Sequence, residues 1–190
     1  MDSFLTAIYG SKQAVFTSRE IALLIGEKSA NNLKSKLSYY VKTGKLIRLR
    51  RGIFARSKDY NKNELVVRIY TPAYISFETV LAREGVTFQY YKSFFVASYL
   101  SREITVGGSK IIYRKLKDGV LTNKKGLIDR GSYFEATKER AFLDRLYLFP
   151  RYSFDNLRGI DWDVCEDIVL IYRSKKLEIT LEKYREKYEK

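Results

Sequence analysis

YVKTGKLIRLRRGIFAR, residues 40–56, is the stretch whose reading decides the fold. A helix runs out at Thr43-Gly44, and two short β-type runs follow it, 46–50 and 53–56. Only Arg51-Gly52 separates them, so the chain reverses there in a tight hairpin, and Gly52 suits a turn that needs positive φ. A helix followed by an arginine-bearing hairpin is the arrangement of a winged helix. Such a module sets a helix in a DNA groove and lays a cationic wing on the phosphates beside it.

Upstream of this stretch, Ser29 is placed to cap a helix over about 30–43. Ala30, Leu33, Leu37, Tyr40 and Val41 recur on one side of it at helical spacing. A preceding helix starts at Thr17 or Ser18, carries Glu20 in its first turn, buries Ile21, Leu24 and Ile25, and stops at Gly26. Phe4, Leu5 and Ile8 mark a short first helix. Three helices and a two-stranded wing make a winged helix-turn-helix domain over residues 1–58, and a mixed α/β domain follows over 59–190. The expected fold class is α+β.

The apolar arc of the third helix leaves Lys28, Asn31, Asn32, Ser35, Tyr39 and Lys42 facing outward, with Lys36 on the flank. Asparagine pairs bidentately with adenine in the major groove, while lysine and serine suit phosphate or guanine. Asn31, Asn32 and Ser35 are therefore the candidates for base contacts, with Lys28 and Lys36 in support. A polar helix face that simply meets water would give the same pattern. In the hairpin, period-2 alternation places Ile47 and Leu49 against the helices, Arg48 and Arg50 outward, and Arg51 at the tip. Guanidinium groups there can bind phosphate or enter a minor groove, and Lys45 completes the cationic set.

Charge supports this reading. The formal net charge is +14 over 190 residues, and residues 1–60 hold 12 Lys+Arg against 4 Asp+Glu. A polyanion bound mainly by the first third explains that split, and solubility charge on an exposed face is the competing explanation. The chain has no histidine, which removes His-dependent triads and His-ligated metals. The single cysteine, Cys165, excludes an intrachain disulfide and a CxxC metal clip, and its apolar surroundings mark it as a core thiol. No cofactor or metal is expected. No apolar run approaches a membrane span and the N-terminus lacks a signal pattern, so a cytoplasmic protein is expected.

Beyond the wing, residues 64–70 read as a helix broken at Thr71-Pro72, and Ser76 as the cap of a helix over 77–84. FFVASYL, REITV and KIIYRKLK read as strands, with Gly107-Gly108 turning the chain between the last two. Helices return at 137–148, 162–172 and 177–188. Asp161 and Asp163 form an Asp-x-Asp pair that would hold Mg²⁺ in a nucleotidyltransferase, but Asp161 also fits the cap of the helix that begins at Trp162. The aromatic cluster Tyr90, Tyr91, Phe94, Phe95 and Tyr99 suits either core packing or stacking on single-stranded bases.

Three runs, LIRLRRGIFA (46–55), TPAYISFETVLAREGV (71–86) and EATKERAFLDRLYL (135–148), together resemble the AbiEi-type antitoxins of bacterial type IV toxin–antitoxin systems. Pro72, Tyr74, Ile75 and Ser76 stand where that family has Pro-x-Tyr-Ile-Ser, and Glu139, Arg140, Ala141 and Asp144 where it has Glu-Lys/Arg-Ala-x-x-Asp. Phe54 and Lys138 replace the commoner Tyr and Pro. The resemblance implies a non-enzymatic autorepressor that binds double-stranded DNA at inverted repeats in its own promoter. It also implies a second domain that counteracts a nucleotidyltransferase-like toxin without a stable complex. The alternatives are a winged-helix module for protein contacts, or a nucleic-acid-modifying enzyme using Asp161 and Asp163.

Overall fold

A computed structural model of the chain describes residues 2–89 and 92–189. It is a mixed α and β protein whose compact units divide after Ile69.

The first unit contains α1 (Ser3–Gly10), β1 (Val15–Thr17), α2 (Ser18–Ile25), α3 (Ala30–Lys42), β2 (Ile47–Arg50), β3 (Ile53–Ala55) and α4 (Lys62–Arg68). Side chains fix each helix start. Asp2 accepts from the Phe4 amide, Thr17 and Glu20 form a reciprocal capping box, and Ser29 accepts from the Asn32 amide. Gly26 closes α2 in the left-handed conformation, as the sequence predicts. Phe4, Ile8, Phe16, Ile21, Leu37, Tyr40, Leu46 and Phe54 form one buried cluster. Tyr40 ties α3 to α1: its ring stacks on Phe4 at 3.9 Å, and its hydroxyl donates to Asp2 Oδ2 at 2.6 Å. Burial and the Asp2 carboxylate push the Tyr40 hydroxyl up to about 12.

Two expectations for the helices fail. Ala30 is exposed, because it sits in the first turn before α3 reaches the core. Leu24 is 43 % and Leu23 74 % exposed, so only Ile21 of α2 is fully buried.

Among the described residues the first unit has a three-stranded antiparallel sheet, in the order β1-β3-β2. Strand β1 is too short to show any alternation in the sequence. The unit runs to Ile69 and not to residue 58. Helix α4 packs on β1 and supplies the reason. The carboxylate of buried Glu64 accepts from the Ala14 and Val15 amides at 2.8 Å each, and Arg68 pairs with Glu20.

The second unit contains β4 (Ala73–Ile75), α5 (Glu78–Arg83), β5 (Phe94–Ser98), β6 (Arg102–Val106) and β7 (Ser109–Lys115). They are followed by α6 (Asp118–Leu121), β8 (Leu127–Asp129), β9 (Phe134–Ala136), α7 (Lys138–Leu148), α8 (Trp162–Val169) and α9 (Lys175–Tyr188). Among the described residues its sheet has six strands in the order β6-β7-β5-β4-β9-β8. The pairs β5/β7 and β4/β9 are parallel and the others antiparallel, so the sheet is mixed.

A sealed polar network joins this sheet to α7. Arg140 and Asp144 are both 0 % exposed and pair through Nε and Oδ1 at 3.2 Å. Asp144 also accepts from Tyr74 (2.9 Å), Ser76 (2.7 Å) and Tyr172 (2.6 Å). Arg140 spends its other donors on the Lys125 and Val120 carbonyls and the Tyr74 hydroxyl. Every one of these groups is satisfied, the condition for a buried ion pair to be tolerated. Ser76 therefore caps no helix; α5 begins after Phe77, whose φ is +53°. Cys165 is buried as expected, and burial pushes its thiol up. Phe95 is core, whereas Tyr99 is 41 % exposed; Tyr90 and Tyr91 lie outside the described residues.

Candidate nucleic-acid interface

Residues Ala30–Lys42 give α3 almost four turns, with its buried stripe at Leu37 and Tyr40 flanked by half-buried Leu33 and Val41. Helical geometry puts Asn31, Ser35, Tyr39 and Lys42 on the opposite stripe. All four are exposed, and Lys28 and Asn32 are exposed beside them. The aromatic ring of Tyr39 stands 57 % exposed, edge-on to Tyr40 at 5.2 Å. Two residues the sequence reading passed over, Lys34 and Ser38, are exposed as well.

Lys36 is engaged within the chain. Its Nζ meets Glu27 Oε2 at 2.8 Å, across the α2–α3 turn, and holds the Glu27 carboxyl below the usual range. A phosphate contact by Lys36 would have to exchange that partner.

The hairpin differs from the expected alternation. Ile47 pairs with Ala55 and Arg48 with Phe54, but the next pair is Arg50 with Ile53, so Leu49 is an extra residue in β2. The bulge flips everything after it to the other face. Leu46, not Ile47 or Leu49, enters the core cluster, and Ile47 and Leu49 are half-buried on other positions. Arg48 shares the face of Phe54, yet β2 is the edge strand, so its guanidinium lies 5.5 Å from the Phe54 ring and remains exposed. Arg50 falls on the face of Ile53 and is half-buried. Arg48 and Arg50 therefore do not share an outward face. Arg51 is exposed at the tip and Lys45 at the base.

The tip is folded back on α2. The Gly52 carbonyl accepts from the Ser18 amide at 2.9 Å, and Gly52 has φ +78°. That bond brings the backbone of exposed Arg19, in the first turn of α2, next to the Arg51-Gly52 turn. Sequence reasoning missed Arg19; its position in the first turn of the first helix of a helix pair was the available signal.

The Asp-x-Asp pair is used otherwise. Asp161 Oδ1 accepts from the Val164 amide at 3.0 Å and caps α8, and Asp163 pairs with Arg185 at 2.9 Å. Among the described residues, no group of three or more Cys, Asp or Glu side chains is placed to hold a metal ion. No described helix is long and apolar enough to cross a membrane. Comparison with models of known protein families and with curated proteins found no match.

Proposed function

We propose that the first unit is a winged helix-turn-helix that binds double-stranded DNA, with α3 in the major groove. The observation that carries the reading is the exposed polar stripe Asn31, Ser35, Tyr39 and Lys42, opposite the buried stripe of a well-capped helix. Asparagine and serine at the helix start offer base-edge hydrogen bonds, and Arg19, Arg48 and Arg51 supply cations for flanking phosphates. The element order helix, strand, helix, helix, strand, strand supports the assignment.

The three motif runs extend the proposal to an autorepressor and antitoxin of the AbiEi type, acting on its own promoter and against a nucleotidyltransferase-like toxin. Their buried members give them a physical role: Tyr74, Ser76, Arg140 and Asp144 belong to two different runs and meet in one network. A DNase footprint of the region upstream of the gene tests the regulatory half. Two protected half-sites related by an inverted repeat are expected, and their absence would count against it. Coexpression with the adjacent gene tests the other half, restored growth being the expected result. A protein-contact module is the second reading, favoured by the exposure of Leu23 and Leu24 on α2. Leu23→Glu with Leu24→Glu would leave DNA binding intact under the first reading.

A further inference from the structure

The α7–α9 end of the second unit gathers several cations, one of which keeps donors that its own fold leaves unsatisfied. Arg145, 8 % exposed, meets Glu78 Oε1 through Nη2 at 3.1 Å. Its Nε and Nη1 are buried with no hydrogen-bond partner among the described residues. Its guanidinium carbon is 4.0 Å from the ring centroids of both Phe149 and Tyr152. A buried donor left without an acceptor is costly, and a ligand oxygen would relieve it.

Arg145 lines a cleft of about 560 Å³ together with Phe149, Arg151, Tyr152 and Lys176. Arg151 and Tyr152 also line a second cleft, of about 340 Å³, with Lys183, Tyr184, Lys187 and Tyr188. Among the described residues lining either cleft, none is acidic. The Tyr184 hydroxyl donates to the Tyr152 carbonyl at 2.9 Å, which fixes α9 against the segment that separates the clefts. From Lys176 to Tyr188 the helix runs about 18 Å, room for a few nucleotides. Phe149 at one end and Tyr188 at the other are each 41 % exposed.

We propose that the two clefts form one groove that binds single-stranded nucleic acid. Both clefts are lined by cations and rings together, with Lys183-Tyr184 and Lys187-Tyr188 following one another on α9, which suits a polymer that alternates phosphate and base. An acidic peptide would use the cations and leave the rings idle, and a duplex hides its base faces from a groove of this kind. Arg151, Lys176 and Lys183 take phosphates, while Phe149, Tyr152 and Tyr188 offer stacking surfaces. The inference goes beyond the duplex binding assigned to the first unit and does not depend on it.

The test is fluorescence anisotropy of a labelled short oligodeoxythymidine with the full chain at moderate salt. Arg151→Ala with Lys183→Ala should weaken strand binding by roughly tenfold or more and leave promoter-duplex binding unchanged. Tyr188→Ala should weaken it and Tyr188→Phe should not. Equal strand affinity in the Arg151/Lys183 variant would overturn the proposal. So would loss of strand binding in Asn31→Ala with Ser35→Ala, or displacement of the strand by polyglutamate at equal charge.

Discussion

Removing the Asp144 carboxylate would leave Arg140 charged, sealed from solvent and one acceptor short. Breaking a buried pair from one side costs about 3–5 kcal/mol, so Asp144→Ala should destabilise the second unit by that much. Trp162, the only tryptophan, lies in α8 of that unit, and its fluorescence during denaturant unfolding reads the change. Gly126 is a second sensitive position. Its φ is +73°, and an added Cβ would come within 2.7 Å of Ile168 and 2.9 Å of Arg140. Gly126→Ala should cost about 1–3 kcal/mol by the same measurement. In the first unit, Tyr40→Phe removes the bond to Asp2 and should cost about 1 kcal/mol at neutral pH. The Tyr40 hydroxyl is raised on folding, so its contribution is complete below pH 10 and is lost as pH rises through about 12. The stability gap between wild type and Tyr40→Phe, followed by circular dichroism in urea, should therefore narrow over that range.

Elements differ in how much of them the sequence exposes. Helix α3 has thirteen residues, enough for 3.6-residue periodicity to separate its faces, and the outward stripe Asn31, Ser35, Tyr39 and Lys42 could be read directly. The hairpin could not be read to the same depth. Its position and turn follow from Arg51-Gly52, but the extra residue at Leu49 leaves no mark in composition, and period-2 reasoning then puts Arg50 on the face of Arg48. Strands β4 and β9 have three residues each, too few to alternate, and β4 with the residue that follows it brings Tyr74 and Ser76 to Asp144 of α7. Ser76 looks like a helix cap because serine so often is one; only the distant Asp144 gives it another task. If the hairpin serves as the proposed wing, its corrected faces set a specific expectation. Arg48→Ala with Arg51→Ala should weaken duplex binding about equally across sequences and flatten its salt dependence, whereas the half-buried Arg50 should contribute less. Mobility-shift titrations at several salt concentrations measure both effects.

The division of the whole chain after Ile69 also has consequences. Sequence reading ended the first domain at residue 58, because SKDYNKNE (57–64) is polar and reads as a linker or a helix entry. The carboxylate of Glu64, held by the Ala14 and Val15 amides, shows why the following helix belongs with the first unit. A fragment ending at residue 69 should fold cooperatively, and one ending at 58 should lose stability because β1 loses α4 and the Ala14 and Val15 amides lose the Glu64 carboxylate; circular dichroism melts distinguish them. The central claim for the molecule is that α3 reads duplex sequence. The most direct test compares the affinity of the full chain for its own promoter fragment with that for a shuffled duplex, at fixed salt, before and after Asn31→Ala with Ser35→Ala. A strong preference for the promoter that collapses in the variant, with binding to the shuffled duplex retained, is the predicted result. Equal affinity for both duplexes in the wild-type protein, or an unchanged preference in the variant, would contradict it.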